Sequence, residues 1–420
     1  MNTRSAESLA LRRLALRIAA TLLLVGGAIA LSTRVGQAHK AVTSKYTYND
    51  DVFPIVREKC TPCHVEGGVA PMSLMTYELA YPWAESIRAE LIASHMPPWN
   101  ADESVGAFKH VRRLTAKEVD VILTWATGGN PKGQIDQKVP DVPLKNVWAL
   151  GAPDVTLALP STVTLDANTN EATEEFTLPT GLTEPRWLRA ADLLPGTPTI
   201  VRSATIYAKG ADAAAANGLA PDHALAEWVP GQDSEPTDNG VAFRLPAGAA
   251  IGVRIHYKKT WQYDGKPLSD RSTVGLYFAA DSAPQEMIAM PVAAPDNAAP
   301  KDQTIAFSRT IDRDVDALAV VPGRVPPNIV LTAEAVMPNG ARTPIIRLNT
   351  RADWVRRYWF AKPIALPRGT RIDVVARFED PDLLSSAFSV SAAPKPPVAV
   401  PILLRLDIVP ASATALARLP

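Results

Sequence analysis

The chain has 420 residues, of which 47% are apolar, 20% charged and 6% aromatic, a length that suits two or three domains and a composition that excludes a disordered tail or a coiled coil. Lysine plus arginine number 43 and the acids also 43, so the net charge is zero and no whole-chain field invites nucleic acid. The 38 prolines outnumber the 23 glycines, which favours short strands and many turns over long helices.

Arg4, Arg12, Arg13 and Arg17 precede an uncharged apolar run from Ile18 to Leu31, with small residues following at Gly36 and Ala38. These are the parts of a secretory signal, so residues 1–38 read as a signal peptide or as an uncleaved N-terminal membrane anchor. The run is short for a bilayer span, which needs about 20 apolar residues, unless it extends back through Leu14 with Arg17 snorkelling. Both readings export the rest of the chain to a periplasmic or other extracytoplasmic space, free or anchored to the inner membrane.

From Tyr48 to Gly129 the periodicity is helical. Val52, Ile55 and Val56 sit at one-turn spacing within Asp51–Cys60. Leu79, Trp83, Ile87 and Leu91 recur every fourth residue within Thr76–Ser94, interrupted only by Pro82. Thr115-Ala-Lys-Glu118 is a capping box ahead of Val119, Ile122, Leu123 and Ala126, and Gly128-Gly129 stops that helix. Three helices predict a small all-α domain over residues 40–130. Pro131, Pro140 and Pro143 then mark a linker over residues 131–147.

Beyond the linker the period changes to two. Ile200–Tyr207, Ile251–Tyr257, Val274–Phe278 and Ile372–Phe378 read as strands. Leu245-Pro-Ala-Gly248, leading into Ile251 and Val253, repeats 121 residues later as Leu366-Pro-Arg-Gly369 before Ile372 and Val374. That offset is the size of a β-sandwich, so residues 148–285 and 286–410 read as two related sandwiches in tandem. Ala211–Ala226 is an alanine-rich excursion between strands, and Ala392–Pro401 leads to a last strand, Ile402–Ile408. Trp354-Val-Arg-Arg-Tyr-Trp-Phe360 reads as a core strand with a docking face, and Glu174-Glu175 and Asp312-Arg-Asp-Val-Asp316 as solvated turns.

Both cysteines of the chain fall in Cys60-Thr-Pro-Cys63-His64. Covalent c-type haem needs two thiols that reach two vinyl groups of one macrocycle, and an imidazole directly after the second to meet the iron. C-x-x-C-H supplies that arrangement. A zinc site lacks its second pair of ligands here, and a redox dithiol lacks its βαβ context. A sixth ligand must come from elsewhere. Met96, in His95-Met96-Pro97-Pro98-Trp99, lies after the second helix, where two prolines would hold it on an extended backbone. His95, Met72, Met75 and His110 compete. Methionine–histidine ligation favours electron transfer, whereas an open sixth position would make a ligand-sensing haem.

Cys60–His64 with Gly67-Gly68, Ala70-Pro71-Met72-Ser73-Leu74, Thr76-Tyr77-Glu78, Pro82-Trp83-Ala84 and Met96-Pro97-Pro98-Trp99 resembles a bacterial monohaem cytochrome c domain. That domain commonly precedes a module related to the copper type II, ascorbate-dependent monooxygenases of the peptidylglycine and dopamine hydroxylating kind. The resemblance implies His64 and Met96 as axial ligands. Leu178–Trp187, Pro195-Gly196, Gly275–Phe278 and Leu366–Thr370 are similar to stretches of the monooxygenase module, which implies two jelly-roll sandwiches. The family's copper ligands are missing. Arg202-Ser203 stands where its adjacent histidines fall, His256-Tyr257-Lys258 keeps one of two, Pro322-Gly323-Arg324-Val325 has none, and no methionine follows Met337. Only His223 and His256 lie beyond residue 140, and Arg254 and Lys258 share a strand face with His256, a setting that repels a divalent metal.

The expectation is an exported one-electron carrier with one covalent haem c held by Cys60, Cys63, His64 and Met96. Copper is argued against. No phosphate loop, dinucleotide fingerprint or nucleophile elbow is present in the sequence. The β-region becomes a docking or structural platform, with redox proteins as partners and no nucleic acid. The anchor-like N-terminus and the large platform suggest a subunit of a membrane electron-transfer complex. The rival class is an enzyme, a haem-coupled copper monooxygenase with atypical ligands.

Overall fold

The computed structural model describes residues 43–411, apart from 103, 135–138, 145, 210–223, 233, 238–239, 281–284, 297, 299–300, 326–328, 351–355 and 379–401, together with residues 17, 20 and 21. Residues 1–38 apart from 17, 20 and 21, most of the alanine-rich excursion, His223, Trp354 and Ala392–Pro401 lie outside the described residues, and the expectations for them with it. The protein is mostly β, with a few short helices near its N-terminal side. Among the described residues no helix is long and apolar enough to cross a membrane.

One π-helical turn, Tyr48–Val52, leads into α1 (Phe53–Lys59). The second predicted helix is split: α2 (Tyr77–Ala80) passes through a 3₁₀ turn at Tyr81–Trp83 into α3 (Ala84–Ile92). Pro82 lies in that turn and has no N–H to give an α-helical bond. α4 (Ala116–Thr127) starts on the capping box, with Thr115 accepting from the Glu118 N–H and Glu118 accepting from the Thr115 N–H, and Gly128 caps its end. Tyr48, Val52, Phe53, Val56, Leu74, Val121, Ile122 and Trp125 bury a small core between these helices. The predicted linker packs on it. Tyr48 and the Trp125 indole both donate to the Pro131 carbonyl, and Val139, Val142 and Leu144 cover the core.

Two sandwiches follow. In the first, a sheet of order β1 (Val155–Ala158), β10 (Thr273–Phe278), β4 (Arg186–Leu194), β7 (Val241–Leu245) and β11 (Gln285–Glu286) faces β3 (Glu171–Pro179), β8 (Ala250–Lys258), β5 (Val201–Lys209) and β6 (Ala224–Trp228), while β2 (Val163–Leu165) and β9 (Leu268–Asp270) form a separate two-stranded ribbon. In the second, β12 (Ile288–Ala293), β19 (Leu403–Pro410), β14 (Val315–Arg324) and β17 (Tyr358–Leu366) face β13 (Thr304–Thr310), β18 (Arg371–Phe378), β15 (Ile329–Val336) and β16 (Arg342–Asn349). The two strand orders correspond position by position, apart from the two-residue β11. The repeated Leu-Pro-x-Gly element ends β7 in one sandwich and β17 in the other. Each time it crosses to the opposite sheet through a glycine of positive φ, Gly248 at 70° and Gly369 at 87°.

The stretch from Trp99 to Val111 lies within the predicted helical domain by sequence, yet it packs into the second sandwich. Trp99, Ala101 and Phe108 join that sandwich's core. Ala101 bridges to Leu348 on edge strand β16, and Phe108 to Phe360 on edge strand β17, so the segment closes the gap between two sheet edges. The Trp99 ring stands edge-on to Tyr358 at 5.2 Å and 80°.

Three surface expectations need correction. Arg356 and Arg357, 4% and 7% exposed, turn inward with Tyr358, Trp359 and Phe360, so the described part of that stretch offers no docking face. Glu174 and Glu175 lie within β3 rather than in a turn. The cations of β8 are neutralised across the β3–β8 ladder, where antiparallel register sets acids opposite them. Arg254 bonds Glu175 at 2.8 Å, Lys258 bonds Glu171 at 3.0 Å, and His256 Nε2 lies 2.8 Å from the same Glu171 carboxylate.

The Tyr207 hydroxyl, and after it the Arg254 guanidinium, hold the Glu175 carboxyl below its ordinary range. A depressed folded value stabilises above the unfolded carboxylate pKa, and that contribution is lost as pH falls through the folded one. Glu175→Gln should therefore destabilise by less than about 1 kcal/mol at neutral pH, given the partial exposure of the pair. Urea unfolding at neutral and acidic pH checks this: the gap to wild type should shrink on acidification, and a constant gap would assign Glu175 a role independent of charge.

Candidate functional site

The Cys60–His64 loop is built by the end of α1. Cys60 caps that helix by donating to the Val56 carbonyl at 2.8 Å, and the Cys63 and His64 amides both return to the Cys60 carbonyl at 3.1 and 2.9 Å. The chain then doubles back, with Ala70 donating to the Cys63 carbonyl and Leu74 to the His64 carbonyl. Gly68 is required at this turn, since a Cβ there would lie 2.5 Å from the Cys63 carbonyl oxygen. The turn sets the Met72 carbonyl 3.1 Å from His64 Nδ1. A carbonyl only accepts, so Nδ1 carries the proton and Nε2 keeps its lone pair.

Cys60, Cys63, His64 and Met96 all line one cavity of about 430 Å³. The volume is in the roughly 300–1,000 Å³ range of cofactor and small-molecule sites. Val52, Val56, Leu74, Ile87, Leu91 and Ile122 make its helical wall, which is largely apolar. Burial dominates the chemistry of these groups. It pushes the Cys60 thiol up to about 12 and the Cys63 thiol up to about 11, the latter against the opposing pull of Arg112, Arg202 and Arg356. Both are neutral thiols at physiological pH, the opposite of the lowered values that make a redox dithiol or a thiolate metal site reactive. Burial likewise lowers His64, so its imidazole is neutral and able to ligate.

The side chains that the sequence offers beside Met96 separate by position. His95 is held by Glu90 at 3.0 Å and His110 faces Glu235 at 3.2 Å; neither lines the cavity. Met75 is buried in the helical core. Met72 does line the cavity, beside Met96. The backbone at Met96 bends, with a cis Met96–Pro97 peptide, where the sequence predicted an extended run.

The far wall is one that the sequence did not assign to the site. Arg202 of β5, Arg356 just ahead of β17, and Pro230, Gly231 and Gln232 after β6 all reach the cavity, as does Arg112. Thr199 donates to the Gly67 carbonyl at 2.7 Å and Arg202 Nη1 to the Val69 carbonyl at 2.6 Å, tying the helical layer to the first sandwich. The one advance signal was Arg202-Ser203, noticed only as a loss of histidines. His256, the remaining histidine of the expected copper strand, is engaged on the outer β3–β8 ladder. Among the described residues, no three histidine, cysteine or acidic side chains group as a metal site.

No protein-family model matches the chain, and no curated protein matches it. Among solved structures, an allantoicase is 12% identical, covering 49% of this chain and 74% of its own, with a TM-score of 0.15. Procruciferin, an 11S globulin from Brassica napus, is 10% identical over 62% of this chain and 83% of its own, at 0.14. An oxalate decarboxylase is 7% identical over 64% and 82%, at 0.12. Likenesses this weak carry no argument about fold or function.

Gly231 makes the tightest joint between the two walls: φ is +74° and a Cβ would lie 2.0 Å from Pro62 Cβ. Gly181 has φ +71° and open space around it. Both alanine variants incur the left-handed backbone cost of about 1 kcal/mol. Gly231→Ala must also displace the Cys60–His64 loop, so its denaturation midpoint should fall clearly below that of Gly181→Ala; equal losses would mean the joint is loose.

Proposed function

We propose that this chain is an exported monohaem c-type cytochrome that carries single electrons. Residues 40–130 would be its cytochrome domain. The two eight-position sandwiches would be jelly rolls of the copper monooxygenase kind, with the copper chemistry lost and a docking or structural role kept. The observation that carries this reading is the convergence of Cys60, Cys63, His64 and Met96 on one cavity whose helical wall is apolar.

The residues present fit such a group. Bound there, a haem c would supply reversible one-electron iron chemistry. Cys60 and Cys63 would hold it through thioether links, which are neutral like the buried thiols that precede them. His64, with its tautomer fixed by the Met72 carbonyl, would offer Nε2 to the iron, and Met96 would offer its thioether. The apolar helical wall would lower the local dielectric around the group, which favours electron transfer over exchange of ligands. The sequence of residues 1–38 supports export, where haem of this type is attached, and either a free periplasmic protein or one tethered to the inner membrane. Redox proteins, within a membrane electron-transfer complex, are the partners proposed.

The test is the mass and metal content of the full chain matured in cells able to attach c-type haem. One covalent haem per chain, iron near one equivalent and no stoichiometric copper are expected. An unmodified polypeptide would overturn the cytochrome reading, and stoichiometric copper would favour the monooxygenase. In the reduced protein Met96→Ala should open the sixth position, so that carbon monoxide changes its visible spectrum while wild type resists the gas. An unchanged spectrum would remove Met96 from the ligand set.

A further inference from the structure

We propose that a ridge of Leu79, Tyr81, Trp83 and Trp261 rests in the headgroup layer of a lipid bilayer, as a second membrane contact beside the N-terminal apolar segment. This rests on the anchored form of the reading above and is independent of the haem.

Three observations carry it. The first is how the apolar stripe of the second predicted helix divides. Ile87 and Leu91 line the cavity, whereas Leu79, on the same four-residue spacing, is 47% exposed. The 3₁₀ turn Tyr81–Trp83 lies between the two halves and winds more tightly than an α-helix, so one stripe feeds two faces. Tyr81, 49% exposed, stands in that turn. Trp83 meets the 58% exposed Trp261 at 6.2 Å across the junction with the first sandwich, where Trp261 opens a 3₁₀ turn between β8 and β9. Of the six large apolar side chains exposed among the described residues, three thus lie along this ridge, and clustering of that kind marks a contact surface.

The second is the chemistry of the ridge. Tryptophan and tyrosine, apolar rings with a polar edge, are the side chains that settle at a membrane–water interface. Lysines border them with ammonium groups over the rings, Lys132 over Tyr77 at 5.7 Å and Lys266 over Tyr263 at 6.0 Å. A stem laid along apolar surface with its head in water is how lysine sits at such a boundary. Glu78 is paired with Lys132, and Glu85 with Arg88 at 2.8 Å, so the contact rests on apolar burial and asks for no lipid of a given charge.

The third is the path of the chain. The described fold starts at residue 43, and Tyr48 meets Tyr77 at 5.9 Å, which stacks on Tyr81 at 5.4 Å. The chain therefore enters the fold beside the ridge. Residues 32–42 join that point to the apolar run Ile18–Leu31 and reach at most roughly 40 Å when extended. A tether this short keeps the entry side of the fold near the bilayer, where a modest apolar contact on the same chain becomes effective.

The test uses the full chain, residues 1–420, reconstituted into phosphatidylcholine vesicles that carry a photoactivatable phosphatidylcholine with its diazirine near the headgroup. Vesicles are recovered by flotation and cross-linked peptides are mapped by mass spectrometry. Lipid adducts are expected at Leu79–Trp83 and Trp261–Tyr263 as well as in the N-terminal segment. The double variant Leu79→Ser, Trp261→Ser should lower the ridge adducts by on the order of tenfold while the N-terminal adducts, an internal control, keep their yield. Exposed side chains at both sites make it a surface change, and Tyr81→Ser offers a second variant with the same expectation. Adducts confined to the N-terminal segment would overturn the proposal and leave a protein partner or a second copy as the cover of the ridge. Equal labelling of Val375, exposed on β18, would overturn it as random collision, and so would a chain that does not float with the vesicles. The haem content of the same sample tests the cytochrome reading separately.

Discussion

Burial of the Trp99 indole in the second sandwich is the contact on which the geometry of the cavity depends. A tryptophan so placed is worth about 3–5 kcal/mol against alanine. It is reinforced by Ala101 and Phe108, whose bridges close the edges of two different sheets. Met96 lies three residues before this anchor and Arg112 four residues after Phe108. Their positions are therefore set by a β-core remote from the helices. The helical layer is too small to define the cavity alone, and its opposite wall is borrowed from the sandwiches through Arg202, Gly231 and Arg356.

Buried charge is handled in two contrasting ways at the junction. Between the sandwiches, Arg357 meets Asp407 at 2.7 Å and donates to the Ala224 and Leu225 carbonyls, while Arg405 bonds Asp407 at 3.0 Å and approaches Glu227 at 3.7 Å. Two cations and two acids nearly cancel. Desolvation there lifts the Glu227 carboxyl and lowers the Arg357 guanidinium, and the reciprocal charges pull each back. Such a charge network fixes the relative setting of two cores more than it stabilises either one. One residue away, Arg356 lines the cavity, its Nε without a hydrogen-bond partner among the described residues. Neighbouring arginines in one sequence run thus do opposite things, one locking two folds together and the other presenting charge to a space.

Local patterns made much of this legible in the sequence. The capping box of α4, the strand periods and the Leu-Pro-x-Gly repeat depend on neighbours within a few residues, and the elements they mark are present. Cys60, Cys63 and His64 form a contiguous signal of the same kind, and Met96, which follows the second predicted helix, lines the same cavity as they do. What escaped was long-range. Nothing local reveals that Trp99–Val111 belongs to a sandwich core, because an apolar aromatic is equally at home in a helical domain. The acids of β3 looked like a turn because the cations that partner them are some 80 residues away in sequence, in β8. Arg202 and Arg356 carried no periodic signal at all, since a bulge and an approach to a strand fall outside both alternations.

The bulge at Arg202 bears on why so large a β-region accompanies so small a helical one. A sandwich holds its core through alternate inward residues, so outward positions and bulges are free to change chemistry without loss of the fold. Here Val201 and Ala204 on either side remain buried in or beside the first core while the residue between Val201 and Ser203 is turned toward the helices. On the outer β3–β8 ladder the cations of β8 are paired with the acids of β3. Arg202, Gly231 and Arg356 line the same cavity as Cys63 and Met96, so the sandwiches and the helical layer build that cavity together.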